Sequence, residues 1–247
     1  MTPEECEVEV VAAFDQAALD ALKADLSAPE GIEVGALLLR LDKVFALVRL
    51  PEDVQAYREG KNPWKKLVDE VLPVARMLEK AGLEGAVRFP LDDQPPDAWF
   101  HEAGQDQPLG IEVTRILARS HYELAKDLRE RPIGRGFQAL PDDSPQATFD
   151  GARARGRVMY TRGGVEAAIE KSAIARLSAK ADPKYEGQVL LLAAPLGSAP
   201  HHDWAPMCRR LAVAAHQTAF AKVVMMDDGR SSAPLLVILD RSDDETE

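Results

Sequence analysis

The chain has 247 residues, 46% hydrophobic and 29% charged, with a formal net charge of -11. That length gives ample surface for a buried core. No apolar run reaches the roughly 18–20 residues of a membrane span, and Cys6 and Cys208 are too few for a disulfide framework or a thiolate zinc cage. Collagenous, membrane-spanning and cysteine-stapled classes are therefore excluded, and the acidity argues against binding nucleic acid over the whole surface. The opening MTPEECEVEV lacks the basic and apolar stretches of a secretory signal, so a soluble, cytoplasmic protein is expected.

In chain order, Asp15 can cap a short helix through Leu26, which ends before Pro29-Glu30-Gly31. Ile32 to Leu50 is dense in Leu and Val and too long for one strand, so it reads as a mostly buried helix. Pro51 ends it and can begin a short helical stretch through Arg58. Residues 1–61 thus form a helical N-terminal extension without chemistry. Asn62-Pro63 is a helix start. Trp64, Leu67, Val68, Val71, Leu72 and Leu78 then share a helical face, Pro73 can kink the helix, and Gly82 suits its C-terminus.

The pattern next changes to strands at Ala86–Phe89, Asp97–His101 and Gly110–Thr114, with Pro95-Pro96 and Gly104–Pro108 as breaks. Ile116 to Arg131 reads as a helix stopped by Pro132. Residues 134–164, rich in Gly, Pro and Arg, read as a long basic insertion. A helix over Gly164–Ala181 leads to Val189–Ala193, a strand buried on both faces. A helix over His202–Phe220, strands at Val223–Met226 and Leu235–Leu239, and an acidic tail at 242–247 complete the chain. The fold class is α/β.

One pair of residues suggests chemistry. Pro96-Asp97 opens one strand, and Glu112 lies in the next within Ile111-Glu112-Val113-Thr114. A hairpin would let both carboxylates project from the same end of one face. Two such groups repel each other and hold a proton unless a cation lies between them. Hard oxygen ligands suit Mg²⁺ or Mn²⁺, which can lower the pKa of a water and stabilise charge on a phosphate.

This Pro-Asp…Glu-x-Thr arrangement, with its order of elements over 62–194, resembles the PD-(D/E)XK nuclease superfamily. The resemblance implies a restriction-endonuclease-like mixed sheet flanked by helices over 62–241. It also implies a metal held by Asp97, Glu112 and the Val113 carbonyl, and hydrolysis of a phosphodiester by a water. Thr114 stands where the family has its lysine, and threonine carries no charge. Lys171 or Lys180, on the helix before the apolar strand and its Lys184-Tyr185, can take over that role, or the site is degenerate. Glu79 or Glu84 can add a third acid. The catalytic set expected is Asp97, Glu112, Thr114, Lys171 and Lys180.

Charge is unevenly spread. Residues 115–184 carry 14 Lys+Arg against 9 Asp+Glu, so the remainder is strongly acidic. Within this basic middle, Arg153, Arg155, Arg157 and Arg162 form a run free of acids around Tyr160, suited to backbone phosphates and a stacked base. A solvated mobile loop is the alternative. Arg129, Arg131 and Arg135 can extend the surface. His201-His202-Asp203 reads as a helix entry capped by Asp203 rather than as metal ligands. Cys208 reads as a buried structural thiol.

The sequence therefore suggests an Mg²⁺- or Mn²⁺-dependent endonuclease acting on DNA, less readily on RNA, alone, as a homodimer or in a protein complex. Defence against foreign DNA or DNA processing is implied by the superfamily alone. The alternative is a degenerate nuclease-like scaffold that works by protein contact.

Overall fold

The computed structural model describes residues 15–46, 58, 61, 64–117, 122–123, 130, 140–141, 144–155, 161–199, 202–229 and 233–241. Asn62-Pro63, the acidic tail and most of the helices expected over 51–58 and 116–131 lie outside the described residues. Among those described, no helix is long and apolar enough to cross a membrane.

The chain begins with helix α1 (Gln16–Ser27), capped by the Asp15 carboxylate, which accepts from the Ala18 N–H at 3.0 Å. Leu19, Leu22 and Leu26 recur at helical spacing and are buried. The segment from Ile32 is not one helix. Ile32–Glu33 forms a two-residue strand, β1, before helix α2 (Val34–Phe45). The correction has a local cause. Gly31 adopts φ +67, where a Cβ would come 2.7 Å from the Val87 carbonyl oxygen, so the chain enters extended and pairs with the neighbouring strand before it coils. The N-terminal helices share their core with the sheet: Leu37 and Leu41 of α2 pack in the cluster that holds Val71, Phe100 and Leu191.

A π-helical turn (Leu67–Val71) runs directly into helix α3 (Leu72–Ala81), which Gly82 ends in the left-handed conformation. Three antiparallel strands follow, β2 (Gly85–Arg88), β3 (Ala98–Glu102) and β4 (Leu109–Arg115). Helix α4 (Gln146–Ala154) and helix α5 (Arg162–Ala179) lead to β5 (Val189–Ala194). Helix α6 (Ala205–Ala215) separates β5 from β6 (Lys222–Asp227), and β7 (Leu236–Asp240) ends the sheet. Residues 134–164, read from sequence as a long basic insertion, contain helix α4. Its buried Phe149 gives a short polar segment one apolar anchor.

The seven described strands lie in sequence order in one mixed sheet. β4 is the point of change: it pairs antiparallel with β3 on one side and parallel with β5 on the other. Both faces are covered, as the all-buried pattern of β5 requires. Leu191 faces the core with α1, α2 and α3, whereas Leu190 and Leu192 face the core with α5 and α6. The protein is thus an α/β protein whose mixed sheet is flanked by helices. Leu191 is fully buried at the sheet centre, so Leu191→Ala is expected to cost about 3 kcal/mol of stability. Urea unfolding should show this as a lower midpoint with an unchanged slope.

Candidate functional site: a carboxylate cluster with a lysine from helix α5

Asp97 directly precedes β3, after the cis Pro95-Pro96 bond. The Val113 N–H donates to its Oδ2 at 2.7 Å, fastening Asp97 to β4. On β4, Glu112 and Thr114 share a face by strand alternation, opposite Leu190 and Leu192 of β5 in register. Glu112 is buried, and its Oε1 accepts from the Lys180 ammonium at 2.5 Å. Burial raises the Asp97 carboxyl to about 6, with the Glu112 charge adding to the shift; the Val113 N–H, Lys180 and Lys66 act against it. The Glu112 charge therefore acts on Asp97, and Lys180 contacts Glu112 and acts on Asp97 through its charge.

Helix geometry decides between the two candidate lysines. Nine residues at ~100° each put Lys171 and Lys180 on opposite sides of α5. Ser172 faces the sheet, its hydroxyl donating to the Ile116 carbonyl at 2.8 Å, and Lys171 is exposed. Lys180 caps the helix and reaches Glu112 from the end. Thr114 is buried beside this pair and supplies no charge.

A third acid comes from a place the sequence reading missed. Glu79 and Glu84 line a cavity with Glu33 and Asp42, whereas Glu70 on the π-helical turn feels the Asp97 charge. Burial raises Glu70 to about 7, the Asp97 charge adds to this, and Lys66 and Lys65 oppose it. Lys66 lies 3.4 Å from Glu70 and also donates to the Asp93 carboxylate at 3.0 Å and the Asp92 carbonyl at 2.5 Å. It thereby ties the loop before Asp97 to the helix. The available signal was Pro73. A proline has no N–H for the Asp69 carbonyl. The chain instead makes a wide turn in which the Leu72 N–H reaches back to the Leu67 carbonyl. That extra residue moves Glu70 out of the phase a regular helix predicts.

The same turn points Asp69 elsewhere. Its carboxylate accepts from the Tyr122 hydroxyl at 2.6 Å and lies 3.5 Å from Arg115 Nε, while Arg115 also donates to the Val68 carbonyl at 2.8 Å.

Glu112 Oε2 is buried without a hydrogen-bond partner, beside a second carboxyl whose pKa is raised. Such oxygens suit a hard cation. Among the described residues, however, no three His, Cys, Asp or Glu side chains gather into a ready metal group.

Of the arginine run, Arg153 and Arg155 are the two whose side chains lie among the described residues. Arg153 is mostly buried and lies 2.9 Å from the buried Glu123 carboxylate in an internal ion pair. Arg155 is exposed just after α4. Arg157 and Tyr160 lie outside the described residues, as does the side chain of Arg162, whose backbone begins α5. Asp203 accepts from the Ala205 N–H at the start of α6, as a cap should. His202 pairs with Glu166 at 3.0 Å. Cys208 is half-buried, and burial pushes its thiol up, away from reactivity.

The fold and site define an α/β protein with a part-buried carboxylate–lysine cluster where β3, β4 and α5 converge. Comparison with protein-family models, curated proteins and solved structures gives no significant match to the chain.

The raised carboxyls set a pH dependence. Between the ordinary carboxylate range and about 7, the folded chain holds protons at Glu70 and Asp97 that the unfolded chain has released. Stability attributable to these groups is therefore present at low pH and falls as pH rises toward neutrality. Glu70→Gln is expected to flatten this slope and to stabilise the cation-free protein at pH 8 by about 1 kcal/mol, after allowance for solvent screening. Denaturant unfolding of both proteins from pH 5 to 8 checks it, and parallel curves would contradict it.

Proposed function

We propose that the protein is a divalent-cation-dependent phosphodiesterase acting on nucleic acid, DNA in preference to RNA, on a restriction-endonuclease-like core. The observation that carries this reading is the Lys180–Glu112 contact on β4 together with the charges of Glu112 and Lys180 acting on Asp97, which in turn acts on Glu70. The order α3, β2, β3, β4, α5, β5, with three antiparallel strands and then a parallel one, supports the resemblance to PD-(D/E)XK nucleases.

In this reading Asp97 and Glu112 hold Mg²⁺ or Mn²⁺, the Val113 carbonyl assists, and Glu70 is the third acid. The cation supplies charge stabilisation at the phosphate and lowers the pKa of a water. Positive charge beside Asp97 draws Glu70 and Asp97 into their ionised forms. Lys180 supplies the ammonium that Thr114 cannot. It neutralises Glu112 and, held there, presents its remaining N–H donors to a phosphate oxygen, since an ammonium is a point charge with three donors. Arg155 and its neighbours in the basic segment contact backbone phosphates. A cytoplasmic role in bacterial defence or DNA processing, singly, as a homodimer or within a complex, belongs to the same proposal.

A second reading rests on the direct Lys180–Glu112 contact and on the absence of a ready metal group among the described residues. In it the lysine permanently replaces the metal, and the core is a degenerate scaffold for protein partners.

Incubation with linear DNA, circular DNA and RNA in Mg²⁺, Mn²⁺ or EDTA separates the two. The nuclease reading expects metal-dependent cutting that falls at least ~100-fold in Asp97→Ala, Glu112→Gln and Lys180→Ala. No cutting of any substrate, with no heat of metal binding by calorimetry, would favour the scaffold. For DNA binding, Arg155→Ala should reduce the slope of log affinity against log salt by about one.

A further inference from the structure

Lys180 is the cation on which the site depends, yet it sits at the end of its helix on a stem with several rotatable bonds. What fixes it lies five residues on. The Lys180 ammonium is 4.9 Å from the centre of the Tyr185 ring, and the Lys184 ammonium is 5.0 Å from the same centre. The ring itself is held firmly. Tyr185 is buried and stacks on the fully buried Phe220 with centroids 5.0 Å apart and planes at 24°. The turn that carries it is tied at both ends: the Asp182 carboxylate accepts from the Lys184 N–H at 2.9 Å, and the Tyr185 carbonyl accepts from the Gln188 N–H at 3.1 Å.

An aromatic face attracts an ammonium through its quadrupole. Lys184 is exposed, and its charge beside Lys180 disfavours any move of Lys180 away from Glu112 toward the second ammonium. We propose that Tyr185 is a positioning residue: its ring holds the Lys180 ammonium against Glu112 and keeps Lys184 beside it as a second cation. The inference deepens the nuclease reading and rests on it for the catalytic consequence. Tyr185 itself touches neither carboxylate nor phosphate in this scheme. It acts through Lys180.

The test varies the electron density of the ring without changing its shape. Phenylalanines bearing successively more fluorine atoms are placed at position 185, alongside Tyr185→Phe and Tyr185→Met. The hydroxyl is not required, so Tyr185→Phe should keep the parental kcat. Each added fluorine should lower kcat, reaching about a tenfold loss for the most fluorinated ring and for Tyr185→Met, with KM within about twofold. A purely structural ring would show equal rates across the fluorinated series, and that result overturns the proposal. So does a Tyr185→Phe protein as slow as Tyr185→Met. The fluorinated series keeps the packing on Phe220, so it decides the matter even where Tyr185→Met fails to fold.

The proposal and the nuclease reading fail separately. A parent protein that cuts no substrate defeats the nuclease reading. The placement of Lys180 is then read by NMR from its ε-methylene protons, identified by comparison with Lys180→Gln. Upfield ring-current shifts that vanish when the aromatic ring is removed support the positioning role. Random-coil positions in the parent overturn it.

Discussion

Two carboxyl groups removed from water on adjoining strands repel each other, and neither stays ionised without nearby positive charge or N–H donors. Much of the middle of this protein is arranged around that constraint. Asp97 receives a backbone N–H from Val113, Glu112 receives the Lys180 ammonium, and Glu70 lies against Lys66. Each compensating group is itself fixed. Val113 belongs to a strand bonded on both sides. The helix that ends in Lys180 is fastened by Ser172 to the residue just past β4. Lys66 is shared with the loop that leads into Asp97. Compensation is still incomplete, since Glu70 and Asp97 remain well above the ordinary carboxylate range. A site in that condition gains from any further positive charge brought beside Asp97.

The sheet makes this convergence possible through β4. An all-antiparallel meander would have placed a hairpin neighbour on both sides of Glu112. Here the chain leaves β4, and α5 returns it to β5 alongside in the parallel sense. A parallel connection needs a crossover, normally a helix. The end of that helix necessarily arrives near the start of the next strand, where a long side chain such as Lys180 can reach the buried carboxylate. The positive charge that Thr114 cannot give to this face is thus brought to Glu112 by the connection that the topology already demands.

Much of this was legible in the residues. Alternation and turn signals located β2, β3 and β4 to within a residue or two, and the continuous apolar run located β5, because these signals arise from burial of whole faces. The pairing of Asp97 with Glu112 followed from two strands joined by a short polar turn. Other features were not legible, for identifiable reasons. Ile32–Glu33 is strand only because Gly31 and the β2 edge make it so. The ion pair of Arg153 with Glu123 joins residues about thirty positions apart, which local sequence pattern does not register. The choice of Lys180 over Lys171 was latent in helical phase once Ile169, Ala173 and Leu177 were known to face the sheet. Glu70 was hidden because phase counting assumes a regular helix, and residues 67–71 do not form one.

That wide turn has a consequence for how the molecule works as a unit. Because one residue is accommodated beyond the regular repeat, adjacent acids serve different neighbourhoods: Asp69 is bound to Arg115 and Tyr122, while Glu70 belongs to the Asp97 group. Arg115 is rooted in the strand that bears Glu112, so strand and helix are cross-braced on either side of a single peptide link. A shift of the helix along its axis would disturb both neighbourhoods together. The irregularity acts as a keyway, locking the helix at one rotation and one depth against the sheet.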